Sequence, residues 1–82
     1  MIKATVWTRD DCLYCSLAKK ELHNRKYKID ERNITGLWSK EDLLKVVPKA
    51  RTVPQIFIND KYIGGYNELM QYFEETTSNY GH

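Results

Sequence analysis

The chain has 82 residues, 41% hydrophobic and 29% charged, which is enough for one domain around one modest core. Its net charge of +2 is too small to predict a nucleic-acid or anionic membrane partner, and no apolar run is long enough to span a membrane. The apolar stretch at the N-terminus is too short and too polar for a signal peptide. From the length of the chain we expect a single domain over residues 1–82.

The first half of the chain predicts a strand, a helix and a second strand. Apolar and polar residues alternate over residues 2–7, which predicts a strand. Apolar residues at helical spacing then predict a helix from about Leu13 to Arg25. Residues 27–33 predict the next strand. A strand–helix–strand unit of this length indicates a right-handed crossover and a parallel pair.

The second half begins with a short helix and a hairpin. Ser39 with Asp42 three residues later resembles a capping box, and the helix that follows should end before Pro48. Residues 56–58 and 61–63 predict two antiparallel strands, because the Asn-Asp pair between them is typical of a tight turn.

A last helix completes the predicted order βαβαββα. Asn67 is expected to cap this helix, and the chain beyond about Thr76 becomes polar, so we expect a frayed tail there. The order predicts an α/β fold with a four-stranded mixed sheet flanked by helices.

The two cysteines of the chain, Cys12 and Cys15, lie where the first strand should turn into the first helix. A helix N-terminus carries partial positive charge, which stabilises a thiolate, and the thiolate is the form that attacks disulfides. A disulfide closing so small a loop would add little stability. The pair is therefore typical of a thioredoxin-like redox motif, and we expect a reversible bridge in a reducing cytoplasm.

Three segments of the sequence form a pattern at a characteristic spacing. They are Cys12-Leu13-Tyr14-Cys15, Arg51-Thr52-Val53-Pro54-Gln55-Ile56-Phe57-Ile58 and Ile63-Gly64-Gly65-Tyr66-Asn67. Together they resemble the glutaredoxin family over almost the whole chain, most closely its small dithiol members of bacterial and phage type. The resemblance implies a thioredoxin-like fold and an oxidoreductase that reduces protein disulfides and glutathione mixed disulfides. Glutathione would be a co-substrate, with no tightly bound cofactor.

The cysteines are expected to divide the reaction between them. Cys12 is the candidate nucleophile because it is nearer the helix start and solvent, and Cys15, one turn deeper, is the candidate resolving thiol. The resemblance implies that Tyr14 lines the glutathione groove. It also implies a cis peptide bond before Pro54, with the Val53 N–H and C=O binding the cysteine moiety of glutathione.

The resemblance assigns the ends of glutathione to other residues. Thr52 belongs to the same predicted binding segment as Val53. Gly65, Tyr66 and Asn67 would hold the γ-glutamyl carboxylate at the start of the last helix, where glycine permits close approach and the first amides bind anions. Arg9, where the family usually has Lys, and Arg51 are candidates to pair with the glycine carboxylate. With Tyr14 and Pro54, nine residues are thus predicted to bind glutathione: Arg9, Tyr14, Arg51, Thr52, Val53, Pro54, Gly65, Tyr66 and Asn67.

Several residues depart from the family pattern. Leu13 replaces the usual Pro, which should change the reduction potential in a direction that the sequence does not determine. Asp10 and Asp11 bring negative charge beside Cys12 and oppose thiolate formation, unless Asp11 caps the helix and points away. Asn67 stands where the family has Asp, so a negative charge toward the amino group of glutathione is lost.

Other functions remain open on the sequence alone. The first alternative is a thioredoxin-like redoxin, reduced by thioredoxin reductase and serving ribonucleotide reductase. The others are a metal carrier and an iron–sulfur cluster shared by two chains; a closed zinc site lacks ligands, so we expect no metal site. For the favoured function we expect a monomer whose partners are glutathione and protein disulfides, with ribonucleotide reductase as the family-level candidate.

Overall fold

The computed structural model describes residues 1–78, which form one mixed sheet covered by helices on both faces. The elements in chain order are β1 (Lys3–Thr8), α1 (Leu13–Asn24), β2 (Lys28–Asn33), α2 (Lys40–Val46), β3 (Gln55–Ile58), β4 (Lys61–Gly64) and α3 (Tyr66–Ser78). The strands are arranged in the order β2-β1-β3-β4. The predicted βαβαββα order and four-stranded mixed sheet are confirmed.

The strand pairings agree with the predicted crossover and hairpin. β1 runs parallel to β2 and antiparallel to β3, and β3 runs antiparallel to β4. Asn59 and Asp60 form the two-residue turn, with φ values of 49° and 67°. Positive φ at both positions is what a type I′ hairpin turn requires, and Asn and Asp tolerate it better than most residues.

The sheet is buried on both faces. Helices α1 and α3 cover one face and α2 covers the other, so β1 is buried from Ala4 to Thr8 rather than on one face only. The larger cluster consists of Ala4, Val6, Ala18, Leu22, Ile56, Ile58, Leu69 and Phe73. The smaller cluster consists of Trp7, Leu43 and Val47, with partly buried neighbours that include Val53. Because β1 and β3 are antiparallel neighbours, the loop after β1 and the loop before β3 lie at the same end of the sheet.

The helix starts differ in how well the sequence predicted them. The capping box at α2 is confirmed, since Ser39 Oγ accepts the Asp42 N–H at 3.1 Å and Asp42 Oδ2 accepts the Ser39 N–H at 3.0 Å. The predicted cap at Asn67 is wrong, because α3 already begins at Tyr66. The carboxylate of Glu68 accepts the Gly65 N–H at 2.8 Å, so Gly65 is the N-cap and the helix starts two residues earlier than a cap at Asn67 would place it.

The C-terminal end of the chain is helical for longer than predicted. Helix α3 continues to Ser78, two residues beyond the predicted start of the tail at Thr76. The remainder of the predicted frayed tail, residues 79–82, lies outside the described residues. Within residues 1–78, no helix combines the length and the apolar character needed to cross a membrane.

Candidate active site

The two cysteines are joined by a disulfide at the start of α1. Their Cα atoms are 5.2 Å apart, within the usual range for a bridged pair. Cys12 is the N-cap residue, with φ −120° and ψ 107°, and its Sγ accepts the Cys15 N–H at 3.2 Å. After reduction, a thiolate at Cys12 would keep this hydrogen bond and lie at the positive end of the helix dipole. The N-cap position therefore favours the charged, nucleophilic form of Cys12.

The cysteines differ in their access to solvent. Cys12 is partly buried, whereas Cys15 is only 2% exposed. A substrate disulfide can therefore reach Cys12, and Cys15 is held behind it for an intramolecular step. This arrangement supports the predicted roles of nucleophile for Cys12 and resolving thiol for Cys15.

A loop between α2 and β3 lies against the cysteine pair. The Val53–Pro54 peptide bond is cis, as the resemblance implied. Cys12 Sγ lies 3.7 Å from the Val53 carbonyl oxygen, which connects residues 41 positions apart. The backbone of Val53 is therefore within reach of any group that is bonded to the sulfur of Cys12.

A cavity of about 330 Å³, which we call the peptide groove, opens beside this loop. It is lined by Tyr14, Thr52, Val53, Pro54, Gly65, Tyr66, Asn67 and Glu68. The rings of Tyr14 and Tyr66 have centroids 5.5 Å apart across the groove. Seven of the eight lining residues were predicted as site residues, so the structure brings together segments that are far apart in the sequence.

A second cavity of about 330 Å³, the basic cavity, shares Thr52 and Val53 with the peptide groove. Both predicted arginines, Arg9 and Arg51, line it and are exposed. Lys40, at the start of α2, adds a third cation that the sequence analysis missed. Its remaining walls are Ile34, Leu43, Leu44 and Ala50. Among residues 1–78, no carboxylate lines this cavity, so its charge suits an anionic group.

Glu68 is the groove residue that the sequence analysis missed. Its carboxylate lines the groove and accepts the Gly65 N–H. The Gly65 amide is therefore already satisfied, whereas the amides of the first three helical residues, Tyr66, Asn67 and Glu68, precede the first intrahelical bond, from the Leu69 N–H to the Gly65 carbonyl. Glu68 also places a negative charge next to Asn67. The spacing of Gly65 and Glu68, an N-cap and the third helical residue, was a signal that could have revealed it.

The two aspartates before Cys12 have different environments. The Asp10 carboxylate accepts a hydrogen bond from Asn33 Nδ2 at 2.9 Å, and the backbone N–H of Asp10 donates to Thr35 Oγ1 at 3.1 Å. Asp11 is exposed and has a φ of 55°. The alternative that Asp11 caps the helix is wrong, because Cys12 occupies that position. Asp10 instead ties the cysteine loop to the end of β2.

Leu13 is the first residue of α1, and its side chain is 69% exposed. The N–H at the first helical position has no intrahelical acceptor, which is why proline is tolerated there. Leucine occupies the same position and leaves the helix intact. Together with Tyr14, which is 55% exposed, Leu13 gives the rim around Cys12 an apolar surface.

A polar cavity of about 440 Å³ lies on the other side of the disulfide and is lined by both cysteines, Lys19 and Glu31. Lys19 Nζ donates to both carboxylate oxygens of Glu31, at 3.1 and 3.0 Å, and the buried Thr8 Oγ1 donates to Glu31 Oε2 at 2.7 Å. Burial of the Glu31 carboxyl would raise its pKa, but the hydrogen bonds from Thr8 and Lys19 outweigh that effect and hold the pKa below its usual value. This network joins α1, β1 and β2 beside Cys15.

We expect Glu31→Gln to lower the free energy of unfolding at neutral pH, and the difference from wild type to disappear in acid. A carboxyl whose pKa is lowered by folding stabilises the protein above the unfolded value of about 4.5, and this contribution is lost as pH falls through the folded pKa. The expected size is only about 0.5 kcal/mol, because Glu31 is 36% exposed and solvent screens the network. Urea unfolding at pH 7 and pH 3 measures it.

The control for this measurement is Glu75→Gln, which changes an exposed carboxylate whose hydrogen-bond partner is Gln71 on the same helix. Its effect should be smaller at pH 7. A Glu31→Gln difference that is the same at both pH values would contradict the role of the charged network.

Within the part of the chain that the structure describes, no three His, Cys, Asp or Glu side chains form a group that could hold a metal ion. His23, the one histidine within residues 1–78, is exposed on α1.

The fold and the disulfide-forming pair at the N-cap of α1 define a thiol–disulfide oxidoreductase domain of the thioredoxin-like class. The glutaredoxin family model matches residues 4–63. The chain belongs to the glutaredoxin family.

Similar proteins agree with this assignment. Glutaredoxin-C4 of Arabidopsis thaliana is 32% identical over 75 residues, which are 88% of this chain and 56% of that relative. The chain thus spans little more than half of that relative's length. Among solved structures, glutaredoxin 1 from Francisella tularensis complexed with cacodylate has a TM-score of 0.79 at 28% identity, with 95% of this chain and 99% of that chain covered. The buckwheat glutaredoxin–glutathione complex has a TM-score of 0.77 at 26% identity, with 89% and 69% covered.

Proposed function

We propose that this protein is a glutathione-dependent dithiol oxidoreductase that reduces protein disulfides and glutathione mixed disulfides. The observation that carries the proposal is the peptide groove beside Cys12, which shares Thr52 and Val53 with the basic cavity. A short peptide with a central thiol and a carboxylate at each end matches this arrangement. The similar buckwheat protein has been solved as a glutathione complex, which supports the same ligand here.

The proposed reaction on a glutathione mixed disulfide uses Cys12 alone. The Cys12 thiolate attacks the glutathione sulfur, the mixed disulfide bond breaks, and the substrate thiolate leaves and takes up a proton. A new disulfide now joins Cys12 to glutathione. A second glutathione thiolate attacks the glutathione sulfur of this bond, which releases glutathione disulfide and restores the Cys12 thiolate.

The proposed reaction on a protein disulfide uses both cysteines. The Cys12 thiolate attacks one sulfur of the substrate disulfide and forms a mixed disulfide with it, while the substrate bond breaks and the other substrate sulfur leaves as a thiolate that takes up a proton. Cys15 then attacks Cys12, which releases the second substrate thiol and leaves the Cys12–Cys15 disulfide. Two glutathione molecules reduce this disulfide in turn through a glutathionylated Cys12, and they leave as glutathione disulfide.

Each part of glutathione has a proposed partner in the cavities. The Val53 N–H and C=O, beside Cys12, would pair with the cysteine moiety as an added strand would. The amides of Tyr66 and Asn67 would hold the γ-glutamyl carboxylate, and the Glu68 carboxylate would attract the neighbouring ammonium group. The glycine carboxylate would extend into the basic cavity toward Arg9, Arg51 and Lys40.

The test of this function is to compare two reducing systems. The oxidised protein is supplied with glutathione, glutathione reductase and NADPH, or with thioredoxin reductase and NADPH, and NADPH consumption is followed with a disulfide substrate. We expect turnover with the glutathione system. Turnover with thioredoxin reductase alone would reject the proposal in favour of a thioredoxin-like redoxin, and turnover with neither would also reject it.

Arg9→Gln and Arg51→Gln are each expected to raise the KM for a glutathionylated peptide about three- to tenfold. Each substitution removes one charge-assisted hydrogen bond to a carboxylate, and the effect is moderated because both arginines are exposed. Initial rates with the peptide in the glutathione reductase assay measure the change. Lys49→Gln removes another exposed cation, one that does not line the basic cavity, and should leave KM unchanged.

A second substrate isolates the carboxylate contact. In this substrate the same peptide forms its mixed disulfide with cysteamine instead of glutathione. Cysteamine has no carboxylate, so the KM for this substrate should not change with either arginine substitution. An equal rise in KM for both peptides would contradict the assignment of Arg9 and Arg51.

A further inference from the structure

A buried glutamine holds the peptide unit that carries the Val53 N–H. Gln55 is 6% exposed, and its Nε2 donates to the Thr52 carbonyl oxygen at 2.9 Å. The Thr52 carbonyl and the Val53 N–H belong to one planar peptide unit and point in opposite directions from it. A hydrogen bond that fixes the carbonyl therefore fixes the direction of the N–H as well.

The Gln55 amide has two partners, the Thr52 carbonyl and the hydroxyl of Tyr62, and the carbonyl, which can only accept, determines which way the amide is turned. Tyr62 lies on β4 opposite Phe57, and its hydroxyl donates to Gln55 Oε1 at 2.6 Å. A reversed amide would place Gln55 Oε1 against the Thr52 carbonyl oxygen, so only one orientation satisfies both neighbours. Burial raises the pKa of Tyr62, and the nearby Glu68 carboxylate adds to this effect. The hydroxyl therefore remains a donor at neutral pH.

These two hydrogen bonds form a chain that ends at the peptide groove. Hydrogen bonds in series polarise one another, so donation to the Thr52 carbonyl strengthens the Val53 N–H as a donor. Within residues 1–78, the Val53 N–H makes no backbone hydrogen bond of its own. Val53 lines the groove, and its carbonyl lies 3.7 Å from Cys12 Sγ. The hydrogen-bond chain thus ends at the backbone amide of a groove residue whose carbonyl lies beside the reacting sulfur.

We propose that Gln55 and Tyr62 are positioning residues that aim and polarise the Val53 N–H for the cysteine moiety of a thiol peptide in the groove. Core packing does not account for Tyr62, because this side chain is 49% exposed and its hydroxyl contributes a directed hydrogen bond. That the peptide is glutathione rests on the proposed function. The direction of the Val53 N–H, in contrast, is a property of the protein without any ligand.

The first test measures kinetics with a glutathionylated peptide. Tyr62→Phe keeps the ring, whose centroid is 5.3 Å from that of Phe57, and removes only the hydroxyl. We expect it to raise KM about two- to fivefold, with kcat within about twofold of wild type, because ground-state binding is weakened. Gln55→Leu removes both hydrogen bonds and should raise KM about three- to tenfold. Adding Tyr62→Phe to Gln55→Leu should raise it no further, because the two residues act in one chain.

The second test observes the amide directly and needs no glutathione. In ¹H–¹⁵N spectra of the reduced free protein, Tyr62→Phe should move the Val53 resonance upfield, because the N–H is less polarised. Tyr27→Phe is the matched control: it removes a hydroxyl from a partly buried tyrosine that packs on Phe73, in the core between the sheet and α1 and α3.

The outcomes separate this proposal from the proposed function. If Tyr62→Phe leaves both the KM and the Val53 amide unchanged, or if Tyr27→Phe changes them equally, the positioning role is rejected. If the wild-type protein does not turn over with glutathione, the proposed function fails, and the amide measurement still decides the positioning role. If Gln55→Leu does not fold, Tyr62→Phe alone decides both tests.

Discussion

Replacing Cys12 with serine is expected to abolish both the reduction of protein disulfides and the removal of glutathione from mixed disulfides. The loss should be about a thousandfold or more, because a serine hydroxyl is not ionised at neutral pH and cannot replace the attacking thiolate. Cys12 is the residue at the N-cap of α1, where its sulfur accepts the Cys15 N–H and lies beside the Val53 carbonyl. Every proposed reaction begins at this sulfur.

Cys15→Ser makes the same chemical change three residues away and should separate the two activities. Removal of glutathione needs no second cysteine, so this variant should retain that activity. Protein disulfide reduction should be lost, because the variant has no second thiol of its own to displace the reduced substrate from Cys12. Cys15 is 2% exposed, and circular dichroism should first show that the variant is folded. A glutathionylated peptide and insulin are suitable substrates in the glutathione reductase assay.

The assignment of the two roles depends on this asymmetry. Equal loss of both activities in both variants would show that the cysteines act only as a pair. Retained activity in Cys12→Ser would show that Cys15 is the nucleophile, despite its burial behind Cys12 and away from the peptide groove.

Local signals in the sequence were sufficient for the architecture. Hydrophobic periodicity identifies the elements, and the Asn59-Asp60 pair identifies the hairpin, where both residues have positive φ. Three separated segments predicted most of the site residues. These segments meet because β1 ends, and β3 and α3 begin, at the same end of the sheet. The resemblance, rather than periodicity, predicted the cis peptide bond at Pro54.

The contacts that tune the site could not be predicted, because they depend on strand register and side-chain packing over long separations. The Thr8–Glu31 hydrogen bond joins residues 23 positions apart, and it exists because parallel pairing of β1 and β2 brings those strands side by side. The bond from Tyr62 to Gln55 likewise follows from the antiparallel register of β3 and β4.

The start of α3 shows how two local signals compete. Asn67 is a good N-cap residue by type, yet Glu68 reaches back to the Gly65 N–H and begins the helix at Tyr66. A reciprocal partner for the backbone N–H therefore prevailed over the intrinsic preference of a single residue.

Gly64→Ala is expected to lower the free energy of unfolding by about 1–3 kcal/mol and to disturb the peptide groove. Gly64 ends β4 with a φ of +124°, a conformation that residues with a Cβ rarely adopt. A Cβ built there would lie 2.9 Å from Glu68 Cγ and 3.0 Å from Glu68 Cβ. The register of β3 and β4 is already irregular beside it, since one extra β4 residue lies between the partners of Ile56 and Phe57.

The damage should reach function through Glu68. If the new methyl group displaces the Glu68 side chain, the Gly65 N–H loses its acceptor and the first turn of α3 loses the bond that begins it. Because Gly65, Tyr66 and Asn67 line the groove, KM for a glutathionylated peptide should rise along with the loss of stability. Urea unfolding and initial rates measure the two effects on the same samples.

Gly36→Ala is the matched control, because it makes the same substitution in a loop where the nearest atoms to a new Cβ lie 3.6 Å or more away and φ is outside the left-handed region. Its effect on the free energy of unfolding should be within about 0.5 kcal/mol, and KM should not change. Comparable destabilisation in both variants would mean that general loss of glycine flexibility explains the result. A stable Gly64→Ala protein with normal KM would mean that β4 and Glu68 adjust without cost, and that the glycine is not needed to form the groove.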